Sequence, residues 1–204
     1  MLSSVVSRLN DRRDAAADLG EDAGFTLIEL MVVLLILAIL LAIAIPTFLG
    51  VTGGANDRAS QSNLNTALTT AKAAESQNTN QVYTGITAAT LHTAEPSINF
   101  QGGAVTAAGQ VSVYVSSDGN GVVLASWSPA ASGTCWYASD NTAGVTDATG
   151  PYTAAGSTPP ALVAGTTYGK NNGPVATPGV TKANCSAAAA VPNTTTWGTS
   201  FSAV

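Results

Sequence analysis

Between Leu30 and Ile45 this chain runs through sixteen consecutive residues drawn only from Leu, Ile, Val, Ala and Met. Taken back to Phe25 the stretch has 21 positions and a single charge, Glu29. A hydrocarbon core about 30 Å thick is crossed by roughly 20 apolar residues as helix, so the segment is long enough to span. A carboxylate inside such a segment costs at least about 2.5 kcal/mol on insertion scales, and Glu29 therefore asks for a cationic partner.

What precedes the run is polar. Met1–Gly24 sets Arg8, Arg12 and Arg13 against Asp11, Asp14, Asp18, Glu21 and Asp22, with no apolar region of its own. An ordinary secretory signal is cut after its apolar stretch. Here the small residue Gly24 stands before the stretch, and a cut there would keep the hydrophobic helix in the product. Basic residues on the N-terminal side place that end in the cytoplasm by the positive-inside tendency, and the rest of the chain outside.

The stretch GFTLIELMVVLLILAILLAIAIP resembles the class III signal of type IV pilins and their relatives. The resemblance implies cleavage after Gly24 by a prepilin peptidase, methylation of the new amine of Phe25, and a role for Glu29 in filament assembly. A proline at the end of the apolar run, here Pro46, also matches that pattern. Many members carry a further glycine in mid-span where this chain has Ala38. The implied partners are copies of the chain itself in a helical filament, membrane lipid before assembly, an inner-membrane platform and its cytoplasmic ATPase. The expected location is a single-pass membrane protein that ends in a surface filament, with no catalytic activity, cofactor or metal. The plain alternative for Glu29 is a carboxylate at the edge of an ordinary anchor, reaching to the headgroups.

Beyond Gly24 four cations (Arg58, Lys72, Lys170 and Lys182) face seven acids (Glu29, Asp57, Glu75, Glu95, Asp118, Asp140 and Asp147), a balance of −3. Such a surface does not attract phosphates broadly, which speaks against nucleic acid as the main ligand, a local patch at Lys170 and Lys182 aside. The two cysteines, Cys135 and Cys185, fit one disulfide in an exported domain, with two free thiols as the alternative.

A helix is expected from Phe25 to Gln77. Pro46 removes a backbone donor and crowds the preceding turn, predicting a kink near Ala42–Pro46. Gly53-Gly54 weakens the helix by roughly 2 kcal/mol relative to two alanines. Past it, Leu64, Ala67, Leu68, Ala71 and Ala74 recur at three- and four-residue spacing, an apolar stripe that a sheet can cover. Asn78–Gly109 reads as irregular connector. Gln110–Ser117, Val122–Ser128 and Gly133–Ser139, with a tight turn at Asp118–Gly121, predict an antiparallel meander, and Leu162–Lys170 a weaker fourth strand. Asp140–Ala161 and Asn171–Val204 read as coil with short extended pieces. The expected fold is α+β: a long bent N-terminal helix on a small antiparallel sheet of three or four strands, with a disulfide-bounded C-terminal region. In domains this reads as a leader (1–24), a hydrophobic half-helix (25–51) and an exported head (52–204). The order of Cys-Trp-Tyr strand, Tyr-Gly segment and late Cys is similar, more loosely, to pilin-like proteins of Gram-positive actinobacteria.

Other chemistry finds little support. His92 is the sole histidine, so neither a metal-ligand set nor a Ser/His/Asp triad is expected. Asp118-Gly119-Asn120-Gly121 could hold calcium but lacks the rest of an oxygen cage, and a hairpin turn is the simpler reading. Asp140, Asn141 and Asp147 read as loop polars. Trp127, Trp136 and Tyr137 read as sheet aromatics, with an exposed adhesive patch as the alternative. Asn184-Cys185-Ser186 and Asn193-Thr194-Thr195 match the N-glycosylation pattern. Three functional readings follow: the major subunit of a pilus, a minor pilin or pseudopilin of a secretion or DNA-uptake machine, and a membrane-anchored binding or enzymatic domain that keeps its first 24 residues.

Overall fold

A computed structural model describes residues 25–129, 133–146, 151, 164–171, 184–188 and 196–204. The expected leader, Asp147, Lys182 and Asn193 lie outside the described residues. Two compact units meet in sequence between Thr47 and Phe48 and are described separately.

Helix α1 covers Leu27–Ser76 and is helical through both Pro46 and Gly53-Gly54. In the N-terminal unit every described side chain is exposed, apolar ones included. In the C-terminal unit the expected stripe is realised at Leu64, Ala67, Leu68 and Ala71, which are buried together with Ser60. Ala74 is partly buried against the same core, while Ser62, Thr66, Thr69 and Ala73 on the opposite side are exposed.

The stripe packs on a six-stranded sheet in the order β1-β2-β3-β4-β5-β6. The strands are β1 (Asn99–Gln101), β2 (Gln110–Val115), β3 (Gly121–Ser128), β4 (Thr134–Asn141), β5 (Gly165–Asn171) and β6 (Thr196–Gly198). The expected meander is β2-β3-β4 and the weaker fourth strand is β5, all antiparallel. The sheet is nonetheless larger than three or four strands, and mixed. At one edge β1 pairs parallel to β2; at the other β6 pairs antiparallel to β5. Both additions are three residues long, too short for an alternating pattern to show in sequence. The expected connector Asn78–Gly109 also contains helix α2 (Ala88–Ala94), closed at its start by a capping box in which Thr87 and Thr90 bond reciprocally. The usual signature has Glu or Gln at the second position.

Residues alternate across the sheet, and each face is covered. On the helix side Val111, Val113, Val122, Leu124, Trp136 and Ala138 meet the α1 stripe together with Tyr83, Leu91 and Phe100. On the other side Val123, Ala125, Cys135 and Tyr137 meet Val105, Val145, Cys185 and Ala187. Strands β3 and β4 are thus buried on both faces, which is why VVLASWS and TCWYASDN lack a polar side.

The disulfide joins Cys135 of β4 to Cys185, with Cα atoms 5.5 Å apart. Around it the Val105 amide donates to the Cys185 carbonyl at 3.0 Å. Ser112 donates to the Gly103 carbonyl at 2.6 Å and accepts from the Ala187 amide at 2.9 Å. A buried hydroxyl with both roles filled ties the C-terminal segment and the β1–β2 connection to the sheet.

Candidate functional site

The start of α1 is set by a single side chain. Phe25 and Thr26 are not helical. The Glu29 amide donates to Thr26 Oγ1 at 3.2 Å, and the Leu30 amide donates to the Thr26 carbonyl at 3.2 Å. Thr26 is therefore the N-cap and Glu29 the third helical residue, where the helix dipole favours a negative charge. Phe25 is 81% exposed. Among the described residues the Glu29 carboxylate has no hydrogen-bond or ion-pair partner. Gly24, the other half of the expected cleavage pair, lies outside the described residues.

Along the rest of this unit the apolar surface is bare. The most apolar 18-residue window of α1 has a mean hydropathy of 3.2 and none of it is buried, so by length and composition the segment can cross a membrane. Pro46 brings no amide to the helix ladder. Beside it the Thr47 hydroxyl donates to the carbonyls of Ile43 at 3.1 Å and Ala44 at 2.9 Å, a back-bond that often accompanies a bend.

In the C-terminal unit polar side chains pin α1 to the sheet. Lys72 Nζ lies 2.7 Å from Asp140 Oδ1 and donates to Thr166 Oγ1 at 2.7 Å. Tyr83 donates to Asp140 Oδ2 at 2.6 Å, and Thr166 donates to Oδ1. Partial burial pushes the Asp140 carboxyl up, but the bonds from Lys72, Thr166 and Tyr83 and the Lys72 charge prevail and hold it below the ordinary range. Asp140 and Asn141 thus close strand β4 instead of lying in a loop. Further along the helix Trp136 Nε1 donates to Asp57 Oδ1 at 3.1 Å, and Lys170 Nζ sits 4.9 Å from the Trp136 ring centre. The same ring meets Phe201 edge-on at 5.7 Å.

Asp118 does the work of a turn. Its Oδ1 accepts from Ser116 Oγ at 2.6 Å and the Asn120 amide at 3.1 Å. Its Oδ2 accepts from the Thr146 amide at 2.7 Å and Thr146 Oγ1 at 3.0 Å. Partial burial opposes ionisation, yet these donors outweigh it and lower the carboxyl to a pKa of about 2. Gly119 takes φ +74°, and a Cβ there would strike the Thr84 hydroxyl. Its carbonyl accepts from the Tyr83 amide at 2.7 Å.

His92 belongs to α2, with Nδ1 2.7 Å from the Ile98 carbonyl. No group of three or more His, Cys, Asp or Glu stands at metal-binding distance among the described residues. Trp136 and Tyr137 are buried on opposite faces of β4, and Trp127 is partly exposed. The Thr26 cap and the Lys72–Asp140 pair were not expected. The first has a signal, the Thr26-x-x-Glu29 spacing of a capping box; the second, 68 positions apart, has none.

Residues 21–45 match the family model for the prokaryotic N-terminal methylation motif. No curated protein and no solved structure matches the chain.

Proposed function

We propose that this prepilin-type chain is the repeated structural subunit, the major pilin, of a type IV pilus-like surface filament. The observation that carries the reading is the bare apolar segment of α1 with one carboxylate at its start, lying within the matched methylation motif. Such a surface is stable only in lipid or against other apolar helices.

In this reading a prepilin peptidase removes Met1–Gly24 and methylates Phe25, whose amine stays cationic. Glu29 stands one helical turn from that amine, near enough to meet it in its own chain or in a neighbour. Opposite charges 4 Å apart interact by about 4 kcal/mol at an effective dielectric of 20, and leaving either unpaired in an apolar medium costs more. An incoming subunit that pairs its amine with a neighbour's Glu29 relieves that cost and fixes an axial register. Burial of the apolar rods, at about 25 cal/mol per Å², then supplies the cohesion, with a bend at Pro46 fitting the rod to its neighbours. Charge sets the register; packing supplies the strength.

The subunit waits in the membrane with its head outside and ends in an extracellular filament. Its expected partners are the peptidase-methylase, an assembly platform and an ATPase acting through that platform. A sparsely charged exterior rich in Ser, Thr and Ala suits a subunit packed many times over without self-repulsion.

Mass spectrometry of filaments sheared from cells tests the reading. The expected result is an abundant chain that begins at Phe25 with one added methyl group. A chain processed in the same way but rare in the filament is a minor pilin or pseudopilin. A chain retaining its first 24 residues is an anchored domain and ends the proposal.

A further inference from the structure

The peptidase must reach the carbonyl carbon between Gly24 and Phe25. A helical peptide bond is a poor target, because its amide and carbonyl are tied into the ladder and the chain is coiled away from the extended form that a cleft can hold. Cleavage favours backbone that is exposed and not so tied. The helix could begin earlier. Asp22 is as good a capping residue as threonine, and a cap there would make Phe25 the third helical position. In the structure α1 begins at Leu27: Phe25 is non-helical and exposed, and the Glu29 amide is taken by the Thr26 hydroxyl.

We propose that Thr26 is a positioning residue for processing: by capping α1 it stops the helix two residues short of the scissile bond and leaves Phe25 open to the peptidase. The inference rests on the processing reading above and adds a residue to it. At this spot the cap matters more than at a wet helix end. The donors that Thr26 helps to satisfy stand at the mouth of an apolar segment, where water is a less available substitute. Gly24, a poor helix former, biases the chain in the same direction. Glu29 is left out of the cap. Its amide is engaged, but its carboxylate is not, so capping does not use up the charge that assembly needs.

The test follows cleavage of the full-length precursor, held in detergent or membrane, by a prepilin-type peptidase, read as the mass of the N-terminus against time. Thr26→Val keeps the branched shape but loses the acceptor; Thr26→Ser keeps the acceptor and loses a methyl. Thr26→Val should be cut about five-fold more slowly, the size of a lost cap, and Thr26→Ser at close to the wild-type rate. Amide exchange at Leu27 and Ile28 in the uncut precursor reads the start of the helix without the enzyme. Both lie ahead of the first bonded amides of α1, and their exchange should slow in Thr26→Val alone as the helix extends toward Asp22. Wild-type cleavage of Thr26→Val overturns the inference. So does equal slowing of Thr26→Ser, which would mean that the enzyme reads side-chain shape. If wild type itself is never cut, the processing reading fails, while the exchange measurement still reports whether Thr26 caps the helix.

Discussion

From Leu27 to Val51 the side chains of α1 are exposed throughout, Leu and Ile as much as Thr, whereas from Ser60 to Ala71 the same helix buries one stripe and shows another. The contrast lies in patterning, not in helix propensity. The first half is apolar on all sides and offers no polar face to water; a covering sheet on one side would still leave the rest bare. The second half has leucine and alanine at three- and four-residue spacing and polar residues between, so one sheet completes it. A single helix thus has two solvents, and only the second is supplied by its own chain.

The largest expected effect breaks the contrast at its single charge. Glu29 is the one ionisable side chain between Phe25 and Val51. Glu29→Ala should leave processing intact and abolish filaments, as seen by electron microscopy and by the subunit's absence from sheared fractions. Normal piliation would show that the exposed half assembles on packing alone. Next comes the staple of the packed half. The disulfide closes a loop of sequence separation 50, and on the chain-entropy model Cys135→Ser should cost about 4 kcal/mol. Urea unfolding of the full-length protein in detergent measures it. Equal midpoints for wild type and variant would remove the bridge from the account of head stability.

The same truncation made in each half sharpens the comparison. Leu64 is fully buried between α1 and the sheet, while Leu37 is 48% exposed. Leu64→Ala should cost the head about 3 kcal/mol through the cavity it leaves. Leu37→Ala should leave head unfolding within about 0.5 kcal/mol of wild type. Tryptophan fluorescence reports both, since all three tryptophans lie beyond Phe48. A comparable loss from Leu37→Ala would mean that the two halves are not energetically separate.

The same division explains what could be read from the residues alone. Period and composition are local, so the apolar run, the α1 stripe and the β2-β3-β4 meander were all legible. So was the methylation motif matched over residues 21–45, because it is confined to adjacent positions. Elements that depend on distant partners were not. Strands β1 and β6 exist only because β2 and β5 offer them an edge, and α2 carries threonine where a capping box usually has an acid. Asp140-Asn141 looks like the start of a turn, yet Lys72 and Tyr83 hold it in β4. At the candidate site Glu29 was visible as a charge out of place, and the Thr26 cap has a signal too in the Thr26-x-x-Glu29 spacing, although only the Glu29 amide takes part in it.

The smallest expected effect concerns the rim of the packed half, where Asp118 gathers the β2–β3 turn and the strand leading to Thr146. Its folded pKa of about 2 lies below the ordinary carboxylate value of 3.8. Ionised Asp118 therefore favours the folded state. That stability is fully present above about pH 4 and is lost as pH falls through 2, where both folded and unfolded chains bind the proton. Asp118→Asn keeps one acceptor oxygen but no charge, and at pH 7 should lower stability by under about 1 kcal/mol, since the site is partly open to solvent. The gap between wild type and variant should then shrink as the pH is taken from 4 to 2, in urea midpoints of the full-length protein. Asp140 titrates in both proteins and so drops out of the difference. A gap that stays constant across that window would assign the loss to turn geometry instead of charge.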